Sequence, residues 1–126
     1  MPKSVLLVDD DFGVRDVICS LLQDEGYPVV TASNGAEALL RLHEVAPPPG
    51  LILLDLMMPR MSGAEFRMVQ KVDPQLCSVP VVLLSADGRI EEKARALETD
   101  GAIKKPIDLD ELLEVIQRFN VSKTPA

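Results

Sequence analysis

The chain contains short apolar runs that each end at polar residues, and this pattern predicts buried strands. Runs of about four apolar residues bounded by polar or turn residues are typical of the inner strands of a parallel sheet. Four such runs occupy residues 5–8, 51–54, 81–84 and 102–103. The polar residues that follow these runs include Asp9, Asp10, Asp55, Ser85 and Lys105. Because the carboxyl ends of parallel strands share one edge of an open sheet, we expect these side chains to meet there.

Segments with helical periodicity separate the strands. The first helix is predicted over residues 12–25, and Gly26 ends it. Its inward face is expected to hold Val14, Val17, Ile18, Leu21 and Leu22. A short strand over residues 29–31 follows. A second helix begins after the capping residue Asn34, and Val45 is expected to end its buried stripe.

The remaining helices are predicted from capping residues and apolar spacing. Ser62 and Glu65 have the spacing of a capping box, which begins a third helix. A fourth helix is expected from about residue 88 to residue 98 on the basis of its apolar spacing. Asp108 caps a fifth helix, which has a strongly apolar inner face.

The alternation of five strands with five helices indicates a doubly wound α/β domain. This domain is predicted over residues 1–121, with residues 122–126 as a short polar tail. The strand order 2-1-3-4-5, that of flavodoxin-like folds, would bring Asp9 and Asp10 beside Asp55 at the point where the topology reverses. This order is adopted from that fold family, because the residues alone do not determine it.

Composition and charge exclude several classes of protein. The formal net charge of -7 argues against nucleic acid as a direct partner, because phosphate binding needs clustered Lys and Arg. No apolar stretch approaches the roughly 20 residues that span a membrane. Residues 1–4 lead straight into a strand and show no signal peptide. We therefore expect a cytoplasmic protein that contacts neither nucleic acid nor a membrane directly.

Three carboxylates, those of Asp9, Asp10 and Asp55, are expected at the sheet edge. Their mutual repulsion is costly unless a cation neutralises it. Mg²⁺ prefers one or two carboxylates together with water and phosphate oxygens. No Cys or His lies near the predicted edge, which disfavours zinc or copper. The alternative is that two of these aspartates are solvated turn residues.

Asp55 stands alone after its apolar run, unlike the paired aspartates. An aspartate carboxylate can act as a nucleophile and take a phosphoryl group as an acyl phosphate. Such transfer depends on positioning and on charge neutralisation. Ser85 could donate a hydrogen bond to a phosphoryl oxygen, and Lys105 could supply a positive charge. Taken singly, Ser85 could instead be a strand-end cap and Lys105 a surface lysine.

At these residues the chain resembles the receiver domains of two-component response regulators, over essentially its whole length. The resemblance is carried by LVDDD at residues 7–11, LLDLMMPRMSG at residues 53–63, PVVLLSA at residues 80–86 and KP at residues 105–106. Each segment alone is a weak signal. The four segments together, in this order and at workable spacing, are highly specific.

The resemblance implies a phosphorylation-activated switch. Asp55 would be the phosphoacceptor, charged by a histidine kinase or a histidine phosphotransfer protein. The implied cofactor is Mg²⁺, held by Asp10, Asp55 and the backbone carbonyl of Met57, with Asp9 acting through water. The chain would be a monomer or weak dimer, and not an enzyme that acts on a separate substrate.

Further roles follow from the same resemblance. Ser85 would be the switch hydroxyl that moves toward the phosphoryl group, and Lys105 the phosphate-binding lysine. The Lys105–Pro106 peptide bond is expected to be cis, as is common in the family. The small Ala86 would leave a path for the phosphodonor.

The chain departs from the family pattern in three places. Ala102 stands three positions before Lys105, where the family usually has an aromatic residue whose ring rotates inward on activation. The segment of residues 98–102 is shorter than usual. The loop of residues 47–50 is longer than usual and consists of three prolines and a glycine. The first two departures put the usual output face in question.

Other functions remain open from the sequence. The main alternative is a receiver-like binding module that works without phosphorylation, which Ala102 favours and the complete set of site residues opposes. An aspartate-nucleophile phosphohydrolase of the haloacid dehalogenase type would usually carry an acid at position 57, where this chain has Met57. A flavin module is disfavoured because the acidic loop of residues 9–13 would repel a phosphate.

Overall fold

The computed structural model describes residues 3–44, 48–58, 61–119, 121 and 123. Five parallel strands form one sheet in the order β2-β1-β3-β4-β5. The strands are β1 (Val5–Val8), β2 (Val29–Ala32), β3 (Leu51–Asp55), β4 (Val81–Ser85) and β5 (Gly101–Lys104). The predicted doubly wound sheet and its strand order are therefore confirmed.

Within the described residues, four helices connect successive strands and a fifth follows β5: α1 (Phe12–Asp24), α2 (Gly35–Glu44), α3 (Gly63–Val72), α4 (Ile90–Ala96) and α5 (Leu109–Gln117). The predicted caps are present, because Ser62 and Glu65 form a capping box and the Asp108 carboxylate accepts from two backbone N–H groups. The prediction for α4 was too long at both ends. Arg89 precedes the helix without a side-chain cap, and Glu98 has a φ of 55° that is incompatible with a helix.

Helices cover both faces of the sheet. Alternate strand residues point to opposite faces, so Leu6 and Val8 pack beneath α2, α3 and α4, whereas Val5 and Leu7 pack against α1 and α5. The core is built almost wholly of aliphatic side chains, and Phe66 is the largest fully buried residue among those described. No helix in the described part of the chain has the length and apolar character needed to cross a membrane.

The inward face predicted for α1 was partly wrong. Ile18 and Leu22 are buried against the sheet, but Val17 is 57% exposed. Only a narrow stripe of a helix packed on a sheet reaches the core, and Val17 lies at the side of that stripe, where it lines a surface groove. Val45, predicted to end the buried stripe of α2, lies outside the described residues, as does Pro47.

The backbone at the start of α3 closely approaches the backbone at the end of β3. A Cβ atom at Gly63 would lie 2.5 Å from the backbone oxygen of Asp55, so only glycine fits there. The Gly63 N–H donates to the Leu56 carbonyl at 3.2 Å. The start of α3 is thereby packed directly against the end of β3, which holds Asp55 at the sheet edge.

Candidate functional site

The three predicted carboxylates converge at the carboxyl edge of the sheet. Asp9 follows β1 and Asp55 ends β3, and these two strands are neighbours in the sheet. One carboxylate oxygen from each of Asp9, Asp10 and Asp55 lies within 4.8 Å of the others. Asp9 is fully buried and Asp55 is 4% exposed, whereas Asp10 faces solvent. The cluster is thus a half-buried acidic site and not a set of solvated turn residues.

Lys105 extends into this cluster from the end of β5. Its Nζ lies 2.9 Å from Asp9 Oδ2 and 3.7 Å from Asp55 Oδ1. The Lys105 backbone N–H donates to the Ser85 carbonyl at 2.8 Å, which keeps the chain after β5 beside β4. The Lys105–Pro106 peptide bond is cis, as expected. One ammonium group therefore contacts two of the three carboxylates.

Asp9 is held by groups that the sequence did not reveal. Its Oδ1 accepts from the Asp11 N–H at 2.9 Å, and its backbone oxygen accepts from Arg15 Nη1 at 2.7 Å. Arg15 lies near the start of α1. From the sequence alone it is only a polar residue on the surface of a helix. With Lys105 on its other oxygen, the Asp9 carboxylate has both oxygens occupied.

Ser85 ends β4 beside the acidic cluster. It is 2% exposed, and its Oγ accepts a hydrogen bond from the Asp87 N–H at 3.1 Å. The hydroxyl therefore keeps its own proton available for donation toward the cluster. Asp87 lies two residues after Ser85. In the structure it links Ser85 to the next helix.

A cleft of about 470 Å³ brings the predicted site residues together. Asp9, Asp10, Asp55, Ser85 and Lys105 all line it. Its rim includes the exposed Met57 and Ala86 side chains, which face the cleft from the ends of adjacent strands. The convergence expected from four separate apolar runs is therefore present in three dimensions.

Burial and crowding set the protonation of the site. Burial, and then the charge of Asp9, raise the pKa of Asp55 to about 7, although Lys105 acts in the opposite direction. Burial would lower the pKa of Lys105, but the hydrogen bond to Asp9 and the charge of Asp55 outweigh it and raise that pKa. A cation bound at the cluster would favour the ionised form of Asp55, which is the nucleophilic form.

The donor atoms suit a hard divalent cation. Within the described residues, the one group of three metal-ligating side chains close enough to share an ion consists of aspartates alone. Carboxylate oxygens without nitrogen or sulfur donors match the preferences of Mg²⁺ and Ca²⁺ and disfavour zinc. Burial first, and then the charge of Asp9, raise the pKa of Asp55, and a cation on the carboxylates would oppose both effects.

Comparison with known proteins points to one family. A family model described as the response regulator receiver domain matches residues 5–117. The phosphate regulon transcriptional regulatory protein PhoB of Klebsiella pneumoniae is 37% identical over 119 residues, which cover 93% of this chain and 51% of that protein. Response regulator Rre1 of Synechocystis is 36% identical over 121 residues, covering 94% of this chain and 52% of that protein. The chain spans about half the length of these curated relatives.

Solved structures agree with the sequence comparison. Chemotaxis protein CheY4 of Vibrio cholerae has a TM-score of 0.84 and 31% identity, over 94% of this chain and 98% of that one. Response regulator TrrA of Thermotoga maritima, solved in complex with Mg²⁺–BeF, has a TM-score of 0.80 and 30% identity, over 92% of this chain and 97% of that one.

Proposed function

The chain belongs to the family of response regulator receiver domains, and from that membership we propose that Asp55 accepts the phosphoryl group that activates it. The proposed donor is a histidine kinase or a histidine phosphotransfer protein of a two-component system. The observation that carries the proposal is the placement of Asp55 Oδ1 3.7 Å from Lys105 Nζ, in a cleft that also holds Asp9, Asp10 and Ser85.

In the proposed reaction, an oxygen of ionised Asp55 forms a bond to the phosphorus of the donor's phosphoimidazole. The phosphorus–nitrogen bond breaks, and its electron pair stays on the imidazole nitrogen, which takes a proton from solvent. The product is an acyl phosphate on Asp55. Asp55 is almost completely buried, so the phosphodonor can reach its carboxylate only from the cleft. The exposed Ala86 on the cleft rim leaves that side open.

Mg²⁺ is the proposed cofactor, and it would neutralise charge on the carboxylates and the phosphoryl oxygens when bound. We propose Asp10, Asp55 and the Met57 backbone carbonyl as its direct protein ligands, with Asp9 acting through water. The role of Asp9 is supported by its contacts, because its two carboxylate oxygens are already bonded to Lys105 and to the Asp11 N–H. Asp10 is exposed and makes the less encumbered ligand.

Ser85 and Lys105 are proposed to detect the phosphoryl group. The Ser85 Oγ accepts one hydrogen bond and keeps its proton for donation to a phosphoryl oxygen. Lys105 Nζ sits between Asp9 and Asp55, so a phosphoryl group on Asp55 would compete with Asp9 for it. Each residue gains a stronger partner only in the phosphorylated state, which is the differential contact that a switch requires.

The surface beside the cleft supports docking of a protein donor. An apolar groove of about 590 Å³ runs between α1 and α5 and shares Asp11 and Lys105 with the rim of the cleft. Phe12 and Val17 are 70% and 57% exposed on the same side of the sheet. Such a surface next to the acceptor suits a protein partner that delivers the phosphoryl group.

Phosphorylation-independent binding remains the second candidate function. Ala102 supports it, because a receiver without the usual ring at that position lacks the usual readout. The complete cleft opposes it, since Asp9, Asp55 and Ser85 are polar groups that are costly to bury and would have no function there. We further propose that the receiver unit covers residues 1–121, that residues 122–126 form a polar tail, and that the chain acts on no separate substrate. The family match over residues 5–117 supports this extent.

The test is incubation with a small-molecule phosphodonor and Mg²⁺, read by intact mass. The parent is expected to gain one phosphoryl group, and Asp55→Asn none. Asp16→Asn, which removes an exposed aspartate of α1 outside the cleft, serves as the matched control and should be modified like the parent. Equal modification of Asp55→Asn and the parent would refute the assignment.

A further inference from the structure

One ion pair connects the cleft to α4. Asp87 lines the cleft, and its N–H donates to Ser85 Oγ at 3.1 Å. Its carboxylate accepts from the Arg89 N–H at 2.8 Å through Oδ1 and pairs with Lys93 Nζ at 2.5 Å through Oδ2. The hydrogen bond from Lys93 holds the pKa of Asp87 below its usual value, which favours the ionised carboxylate. A continuous set of contacts therefore runs from the switch hydroxyl to the first two turns of the helix.

The opposite end of α4 is anchored independently. The guanidinium of Arg67, a buried residue of α3, donates to the backbone oxygens of Leu97 and Glu98, with Arg67 Nε 3.0 Å from the Leu97 oxygen. Lys71 pairs with the Glu98 carboxylate. These contacts satisfy carbonyl groups that a helix end leaves without partners. The carboxyl-terminal end of α4 is therefore tied to α3. At its amino-terminal end Arg89 makes no side-chain cap, and the contacts there are those of Asp87 and the exposed Arg89–Glu92 ion pair.

Lys93 also borders a surface that phosphorylation would alter. An apolar groove of about 380 Å³ lies between the start of α3 and α4, and it is lined by Lys93, Leu97 and Met57 among others. Met57 lines this groove and the cleft alike. A change in the pairing of Lys93 would thus change the charge at the edge of an apolar surface directly beside the phosphorylation site.

We propose that the Asp87–Lys93 ion pair is the latch that transmits phosphorylation from Ser85 to α4. This inference rests on the proposed function of Asp55. Donation by Ser85 to a phosphoryl oxygen moves Oγ toward Asp55 and either draws the Asp87 peptide with it or breaks its hydrogen bond. The phosphoryl group carries a charge of about -1.5 to -2, which replaces the single negative charge of the Asp55 carboxylate. The added negative charge repels the Asp87 carboxylate and attracts Lys93. In the usual family pattern an aromatic ring moves with the switch hydroxyl, but this chain has Ala102 at that position. The proposed latch would take over that role.

The latch is tested by comparing backbone amide spectra with and without Mg²⁺ and beryllofluoride. In the parent we expect shifts around Asp55 and along α4. In Lys93→Met the shifts around Asp55 should persist, while those of residues 90–96 fall by about half or more. Asp87→Asn keeps an oxygen for the Arg89 N–H but removes the charge, so it should give the same loss. The double variant should lose no more than either single variant.

Lys71→Met is the matched control, because it breaks an ion pair at the other end of α4. Its α4 shifts should equal those of the parent. Equal α4 shifts in the parent and Lys93→Met, with shifts around Asp55 present in both, would overturn the latch alone. Absence of any shift around Asp55 in the parent would overturn the proposed function and the latch with it.

Discussion

The cleft and the surface around Ala102 differ in how tightly their residues are constrained. In the cleft, Asp9, Asp55 and Ser85 are nearly or wholly buried, and Lys105 bridges two of them. Around Ala102 a groove of about 490 Å³ is lined largely by exposed charged side chains, those of Arg89, Glu91, Glu92, Arg95, Lys104 and Glu111. Buried polar groups must be matched to their partners, whereas exposed charges tolerate substitution. We therefore expect the proposed acceptor chemistry and its readout to be separable by substitution.

The largest expected effect of a single change in the cleft is that of Lys105→Met. Asp9 is fully buried, so removal of its cation leaves an uncompensated buried charge. Breaking such a pair costs about 3 kcal/mol of unfolding free energy. Urea unfolding near neutral pH without divalent cations measures it. Lys104→Met, which changes the exposed neighbouring lysine, should change little. Equal losses in the two variants would contradict the bridging role of Lys105.

The pKa of Asp55 predicts how the stability of the cation-free protein depends on pH. Because the folded state raises this pKa from 3.8 to about 7, folding favours the protonated carboxyl. Its contribution to stability is fully present below pH 3.8 and is lost as the pH rises to about 7. The loss is on the order of 4 kcal/mol, from about 1.4 kcal/mol per pKa unit over a rise of about three units.

Chemical denaturation at several pH values checks this prediction. Asp55→Asn should flatten the dependence over that range, because the amide does not titrate. Mg²⁺ should restore stability at the alkaline end. If Asp55→Asn kept the full dependence of stability on pH, another group would be responsible for the titration.

Met57 is expected to control the lifetime of the acyl phosphate. It is 71% exposed and lines the cleft, yet its thioether positions water poorly. Met57→Asn supplies an amide that can orient water for attack on phosphorus and should speed dephosphorylation by roughly tenfold. Loss of the phosphoryl group is followed by intact mass after the donor is removed. Met68→Asn, an exposed methionine of α3, is the control. Unchanged decay in Met57→Asn would sink this explanation.

The smallest expected effect on the chemistry is that of Ala102→Tyr. Ala102 lines the groove beside α4 and not the cleft, so we expect the ring to lie in the groove, away from the cleft residues. Phosphorylation rates should stay within about twofold of the parent, as for surface substitutions. Rates with a small-molecule donor measure this. A loss of phosphorylation comparable to that of the cleft variants would show that the two regions are not separable.

The sequence predicted the architecture because the fold depends on local patterns. An apolar run such as residues 51–54 fits an inner strand of a parallel sheet. The ends of these strands define the edge of the sheet that holds the site. The strand order was adopted from a fold family, because the composition of one strand does not specify which strand it pairs with. The bounds of α4 were wrong because its last turn is ended by Glu98, a residue type with no intrinsic preference for positive φ.

The sequence predicted only those site residues that have a reactive side chain and lie at the end of a strand. Asp55, Ser85 and Lys105 each end or follow a strand, so topology alone brings them together. Arg15 and Lys93 lie on helices, and their contacts depend on helix orientation and side-chain reach, which periodicity does not specify. The same holds for Arg67, whose buried guanidinium joins residues about thirty positions apart in the chain.

The central claim is that Asp55 carries the phosphoryl group, and reductive trapping tests it most directly. Borohydride treatment of the phosphorylated protein converts an aspartyl phosphate to homoserine, which peptide mapping then locates. The account predicts homoserine at position 55 and at no other aspartate, with Mg²⁺ required for its formation. Homoserine at Asp9 or Asp10, or a phosphorylated protein with an unreduced Asp55, would contradict it.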